Sequence, residues 1–347
     1  MNKEYIFFLK YNLNIRNMFD TFRYSYHKFS HLIMKRLSKK SYPKKYLFLR
    51  DVDLVSNYNA DTKKLINSEK YIKINNKNIN LDVILATQTF SINNYQDIFK
   101  KQSFSDPEDY ESLHRFLWIR YYFSKKDIDL DEIEKIETII KNWCKSLSDN
   151  DERIKDKLIW EPYTVSERII NIIFFYNKIE KDMPLIVSSQ LHIMADYVIK
   201  NLEFYNKSYG NHLINNFRAI LFYAITFKNK NIEDIFSNLI DEYLNDFIED
   251  GFTKDFSSHY QLLVYFWLYD LSEFAKHASQ NNLRSILDKY IKPLYEKSMF
   301  FYSQKSKNFS LFGDISPDLP PNYLISLLDR DYFFDSQYSA QLLFRKN

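Results

Sequence analysis

WEPYTVSERIINIIFFYNKI, residues Trp160 to Ile179, decides the fold. Val165, Ile169, Ile172, Ile173, Tyr176 and Ile179 recur at helical spacing, which gathers them into one apolar stripe. Thr164 followed three residues later by Glu167 reads as a capping box, placed just after Pro162, so the predicted helix starts at Thr164. The same period extends in both directions. Upstream, Ile133, Ile136, Ile139, Ile140, Trp143 and Leu147 form a stripe. Downstream, stripes run through Leu191, Met194, Ala195, Val198 and Leu202, through Leu213, Phe217, Ile220, Leu221 and Ala224, and through Ile232, Ile235, Phe236, Leu239, Tyr243 and Phe247. Two further helices are expected at about 258–278 and 283–301. Short connections make neighbours antiparallel, so the expected class is all-α, built from helical hairpins.

Antiparallel succession has a geometric consequence. If the helix from Thr164 runs up, 189–203 runs down, 211–227 up, 231–248 down, 258–278 up and 283–301 down. Every up helix then begins at one end of the array. Trp160, Tyr163, the Gly210-Asn211-His212 turn, the turn from Gly251 to Tyr260 and the Gly313-Asp314 loop are expected to open onto that face. Gly210, Gly251 and Gly313 are the chain's 3 glycines. Each is expected to mark a positive φ or a close approach, although a composition rich in Asn, Lys, Ile, Phe and Tyr also disfavours glycine generally. Asn211, Asn215 and Arg218 are spaced by four and three residues and share a helix side. Polar side chains at a helix start, beside free N–H groups and the positive dipole end, suit a carboxylate.

Composition narrows the alternatives. The 347 residues are 45% hydrophobic, 27% charged and 18% aromatic, a globular balance with enough rings to line a groove for flat polyhydroxylated ligands. A net charge of +3 argues against a dedicated nucleic-acid binder. The basic run Lys35, Arg36, Lys39, Lys40, Lys44, Lys45 and Arg50 reads either as a solvated connector or as a local patch. Cys144 is alone, so no intrachain disulfide can form. The opening MNKEYIFFLKYNLNIRNMF is a poor signal peptide and no run is long enough to span a bilayer, which makes a cytoplasmic location the expectation. No His/Cys/Asp/Glu spacing suggests zinc and no glycine loop suggests a bound phosphate, so neither metal nor cofactor is expected.

Five stretches, in order, carry a resemblance: Phe104-Ser-Asp-Pro-Glu-Asp with Leu113-His-Arg115; Trp160-Glu-Pro-Tyr163 with Ser166-Glu-Arg168; Gly210-Asn-His-Leu213 with Asn216; Asp250-Gly-Phe252 with Ser257-Ser-His-Tyr260; and Gly313-Asp-Ile-Ser-Pro-Asp318. Over about 100–325 the chain resembles the helical domain of heparinase II/III-type polysaccharide lyases. The resemblance implies an incomplete (α/α) toroid, followed in the family by a β-sandwich domain, and cleavage of uronate-containing polysaccharides such as heparan sulfate or alginate. It places Asn211 and His212 on the family's carboxylate-neutralising Asn-His and Tyr260 on its catalytic tyrosine. Trp160, Tyr163, Arg168, Asn215, Arg218 and His259 are candidates for substrate binding by position.

The chemistry needs these residue types. β-Elimination removes the proton at carbon 5 of a uronate, and the adjacent carboxylate opposes the extra negative charge. Asn and His can donate hydrogen bonds to that carboxylate, and a neutral Tyr can protonate the leaving oxygen. Plainer roles stand beside these. Asn211 can simply cap its helix, Tyr260 can fill core or surface, His212 and His259 can be helix-start residues, Asp314 can tie its turn amides, and Arg168 can pair with Glu167 or Glu161. The family's β-sandwich supplies further catalytic groups, and here residues 326–347 resemble only its approach. The expected division is therefore an N-terminal region of helices and irregular connections over 1–100, a toroid over 101–325 and the start of a sandwich over 326–347. Partners expected are an acidic polysaccharide or oligosaccharide, with a separate β-sandwich chain or self-association covering the toroid. A non-catalytic acidic-glycan binder and a helical scaffold are the alternatives to a lyase.

Overall fold

The computed structural model describes residues 44–54, 79–124, 128–149, 151–204, 210–303, 305 and 308–315. The amphipathic start, the basic run from Lys35 to Lys40 and the sandwich-like end at 326–347 lie outside these residues. Lys44, Lys45 and Arg50 fall in a 3-10 helix, Lys44–Asp51. An antiparallel hairpin of β1 (Leu81–Ile84) and β2 (Thr89–Ile92) follows, in a region expected to hold helices and irregular connections. Its four-residue strands are too short for alternation to show in the sequence. The hairpin tip is tied down by the buried Asp109, whose carboxylate accepts from Thr87 N (2.7 Å), Thr87 Oγ1 (2.6 Å) and Gln88 Nε2 (2.8 Å).

Nine helices follow among the described residues: α1 (Pro107–Arg115), α2 (Trp118–Ser124), α3 (Leu130–Ser148), α4 (Pro162–Lys178), α5 (Leu185–Lys200), α6 (Asn211–Thr226), α7 (Lys230–Phe247), α8 (Ser258–His277) and α9 (Asn281–Ser298). Their starts have local causes. Asp106 caps α1 before Pro107, Asp129 and Glu132 form a capping box on α3, and Ser257 accepts from Tyr260 N at the start of α8. On α4 the cap is Glu161, which accepts from Thr164 N (2.9 Å), and Pro162 takes the first helical position. The helix therefore begins two residues before Thr164, and the Thr164–Glu167 capping box does not form. α5 likewise begins before Ser189, immediately after Pro184.

The architecture is all-α, an incomplete (α/α) toroid in two layers. α1, α4, α6 and α8 lie side by side in one layer; α3, α5, α7 and α9 pack behind them, each returning the chain to the starting end. Among the described residues, three two-stranded sheets, β1–β2, β3–β4 (Ile248–Glu249 and Phe252–Thr253) and β5–β6 (Tyr302–Ser303 and Asn308–Phe309), decorate the array. The expected stripe of α4 is buried, but so is its opposite side: every residue from Pro162 to Tyr176 is buried. Thr164, Ser166, Glu167, Arg168 and Asn171 thus enter the core as polar groups and must find partners there.

Two of the three glycines meet the expected backbone demand. Gly251 has φ +82° and Gly313 φ +81°, and a Cβ on Gly313 would collide with the Phe256 carbonyl oxygen. Gly210 does not. Its φ is −148°, ordinary extended backbone, and a Cβ there would meet nothing within 4 Å. Gly313→Ala is therefore expected to lower stability by roughly 1–3 kcal/mol. Gly210→Ala should cost less than ~1 kcal/mol. Denaturant midpoints of the two variants decide it, and equal midpoints contradict the geometry.

Candidate functional site

The starts of α4 and α6 meet. Tyr163, second residue of α4, faces His212, second residue of α6, with ring centroids 4.7 Å apart. Arg115 at the end of α1 lies over the same tyrosine ring at 4.9 Å and pairs with Glu108 and Glu111, each at 2.6 Å. Its Nε donates to Thr164 Oγ1 (3.1 Å), which orients the guanidinium. Gly210 occupies the cap position of α6 and, being glycine, brings no side chain to its first N–H groups; no acidic residue lies in that first turn. Asn211 is thus inside the helix, not its cap, and the plain capping role does not apply to it. Gly210 is held by the Tyr243 hydroxyl, which accepts from its N–H (2.7 Å) and donates to its carbonyl (3.1 Å).

His212 is gripped from within. Its Nδ1 lies 3.1 Å from Glu203 Oε1 and 3.8 Å from Glu161 Oε1. Glu203 has a side chain 0% exposed, whereas His212 keeps 43% of its side-chain surface open. Asn216 clamps Glu203 from both sides, donating from Nδ2 to Oε2 (3.2 Å) and accepting from the Glu203 N–H (3.0 Å). Burial by itself would lower the His212 pKa; the Glu203 hydrogen bond and the charges of Glu203 and Glu161 outweigh it and raise it above the ordinary histidine value. Burial, reinforced by the Glu203 charge, pushes the Glu161 carboxyl up to about 7.

The start of α8 builds a second part of the same end. Ser257 Oγ donates to the Asp314 carbonyl, Ser258 Oγ donates to the Ser310 carbonyl (2.8 Å), and Phe312 N donates to Ser258 Oγ (2.8 Å). These bonds bring the Gly313 loop onto the turn before α8. The Tyr260 hydroxyl reaches Asp314 Oδ2 at 3.4 Å. The Trp267 ring, seven residues further along α8, lies 6.1 Å from the Tyr163 ring. At about 1.5 Å per residue, Tyr260 stands about 10 Å along the axis beyond that level. α8 thus projects past the starts of α4 and α6, and Tyr260 lies on its projecting first turn.

The other candidates are placed inside. Arg168 is fully buried: Nε donates to the His114 carbonyl (2.6 Å), Nη2 to the Ile159 carbonyl (2.6 Å), and the guanidinium lies 4.2 Å from the Trp143 ring. It binds neither sugar nor Glu167 and Glu161, because its stem enters the core side of α4; burial lowers its pKa to about 9. Arg218 is committed to Asp270 (2.5 Å) and Glu167 (3.1 Å), and Asn215 Oδ1 accepts from Arg218 Nη1 (3.2 Å). Asn215 and Arg218 do share a side with each other, but it faces the neighbouring inner helices. His259 is buried beneath Tyr260, with ring centroids 5.6 Å apart. Trp160 is half-buried, its Nε1 donating to the Ile154 carbonyl (2.7 Å) and its carbonyl accepting from Tyr197 Oη (2.6 Å). Arg168, Arg218, Asn215 and His259 are thus structural; Tyr163 and Asn211 are also buried, each 7% exposed, which leaves His212, Trp160 and Tyr260 as the candidates with open side-chain surface.

Glu203, Glu161 and Arg115 are the site residues that sequence reasoning missed. Glu161 and Arg115 sit inside quoted stretches, and their roles needed only the α1–α4–α6 contact. Glu203 precedes the Gly210 turn with no periodic signal. Among the described residues, Glu161, Glu203 and His212 also form a group whose ligand atoms lie within 4.8 Å of one another, a spacing that a divalent cation can use. No helix among the described residues is long and apolar enough to cross a membrane.

No protein-family profile and no curated protein matches the chain. Among solved structures, it is similar to the crystal structure of heparan sulfate lyase HepC from Pedobacter heparinus, at 15% identity and a TM-score of 0.43 over 86% of this chain and 50% of that one. The chain therefore spans about half the length of that lyase.

Proposed function

We propose that this chain acts on uronate-containing acidic polysaccharide by β-elimination, at the rim where α4, α6 and α8 begin. One observation carries the reading: α6 opens without a side-chain cap, with Asn211 as its first residue and the half-open His212 as its second, set against Tyr163. Backbone N–H groups, the positive dipole end and the Asn211 and His212 donors then converge where the uronate carboxylate would sit. Neutralising that carboxylate acidifies the proton at carbon 5. A base takes the proton, the electron pair forms the double bond between carbons 4 and 5, and the bond from carbon 4 to the glycosidic oxygen breaks. The leaving oxygen takes a proton, for which the Tyr260 phenol in the first turn of α8 is the candidate donor. The half-buried Trp160 offers ring surface to a neighbouring sugar, while the buried Tyr163 backs the His212 ring. Binding without turnover is the second reading, favoured by the distance along α8 that separates Tyr260 from the level of Tyr163.

Incubating the chain with heparan sulfate or alginate and following ultraviolet absorbance of unsaturated uronate tests the reading. Product should accumulate with the native chain and fail to do so with Tyr260→Phe. Salt-sensitive binding with no product from either would establish the second reading instead.

A further inference from the structure

We infer that Glu203 is a positioning residue for His212: its sealed carboxylate accepts the Nδ1 proton and so turns Nε2, carrying its own proton, toward the open side of the rim as a donor to an anionic ligand. The anion's identity as a uronate rests on the function proposed above; the orientation and protonation of the ring do not.

The geometry admits one sense of the ring. Nδ1 is the nitrogen that faces both Glu203 and Glu161. In a five-membered imidazole the other nitrogen then points away from both carboxylates. The Tyr163 ring at 4.7 Å restricts rotation. Behind Glu203 the support continues inward, through Asn216 to Ser166 Oγ, which accepts from Asn216 Nδ2 (3.1 Å). A fully buried carboxylate needs a compensating positive group, and His212 supplies one within hydrogen-bond reach of Glu203 Oε1. The charged groups that bear on the ring are Glu203 from the loop after α5, Glu161 from the start of α4, and Arg115 and Glu111 from α1. The carboxylates favour the doubly protonated ring and Arg115 opposes it. The consequence for function is that His212 serves as a charged hydrogen-bond donor rather than as the base.

Histidine-labelled protein followed by ¹⁵N NMR tests this, with His212→Asn used to assign the signal. In the native chain both ring nitrogens should carry protons at neutral pH, with a midpoint above the ordinary ~6.5. Glu203→Gln, which keeps the side chain's size and removes its charge, should lower that midpoint by about one unit or more and weaken binding of an alginate or heparan sulfate oligosaccharide. Glu203→Asp should restore part of the midpoint shift, which also serves if the glutamine variant folds poorly. A native His212 that is neutral at pH ~7, or a midpoint unmoved in Glu203→Gln, overturns the inference. So does one equivalent of zinc displacing the Nδ1 proton, because the three groups would then be a metal site. If the titration behaves as expected and neither oligosaccharide binds, Glu203 keeps its role and the uronate reading falls.

Discussion

Asp270→Ala should destabilise the fold by about 3–5 kcal/mol, the cost of removing one partner from a buried ion network. Asp270 in α8 receives Arg218 of α6 (2.5 Å) and Arg120 of α2 (3.0 Å). Arg218 also meets Glu167 of α4 (3.1 Å), and Arg120 Nε donates to Asn171 of the same helix (2.8 Å). Asp270, Arg120, Arg218 and Glu167 are all 6% exposed or less at the side chain. Two guanidinium groups and two carboxylates thus balance in the middle of the inner layer. Burial alone would raise the Asp270 carboxyl; the charges and hydrogen bonds of Arg120 and Arg218 outweigh it and hold it below the usual carboxylate range. Without Asp270, the buried guanidinium groups of Arg120 and Arg218 lose the carboxylate they share. The melting temperature should fall by on the order of 10 °C. Asp270→Asn, which keeps the volume and removes the charge, should lose most of the same stability. A fall under ~1 kcal/mol in denaturant unfolding of both variants would show that the network is not the fastening between these helices.

Asn211→Ala is expected to reduce the rate of unsaturated-uronate formation by roughly 10²- to 10³-fold, the usual effect of deleting one donor aimed at developing negative charge. Its effect on stability should stay below ~1 kcal/mol, since Gly210 and not Asn211 is the cap of α6. The two measurements together separate the roles. A rate loss with an unchanged unfolding midpoint assigns the amide to the ligand, whereas parallel losses return Asn211 to local structure. Asn211→Asp sharpens the test, because it keeps the shape but sets a carboxylate against the substrate's own. It should abolish turnover at pH values where that side chain is ionised and weaken oligosaccharide binding as well. An Asn211→Asp variant as fast as the native chain would remove the carboxylate-neutralising role.

Helix existence was legible because burial of one side leaves a periodic record. The stripe Val165, Ile169, Ile172, Ile173 and Tyr176 is buried as expected, and the succession of α4 to α9 follows from short connections. Boundaries were less legible. Thr164 and Glu167 satisfy the capping-box pattern, yet Glu161 wins because Pro162 is already suited to the first helical position. The short hairpin at Leu81–Ile92 had no period to betray it.

For the candidate site, the distinction lies in which side of an inner helix a polar residue occupies. Arg168 and Arg218 read as surface binders because a charged side chain on an amphipathic helix is normally solvated. The inner helices are covered on both sides, so those charges are sealed and paired instead. The antiparallel order, the all-α class and the convergence of the Tyr163 and His212 starts were set by local period and connection length, which one chain reads along itself. The Glu203–His212 contact, the burial of five proposed binding residues and the projection of Tyr260 were decided only by tertiary packing. Each depends on how far one helix slides past its neighbour, and no residue's own neighbours in the chain encode that shift.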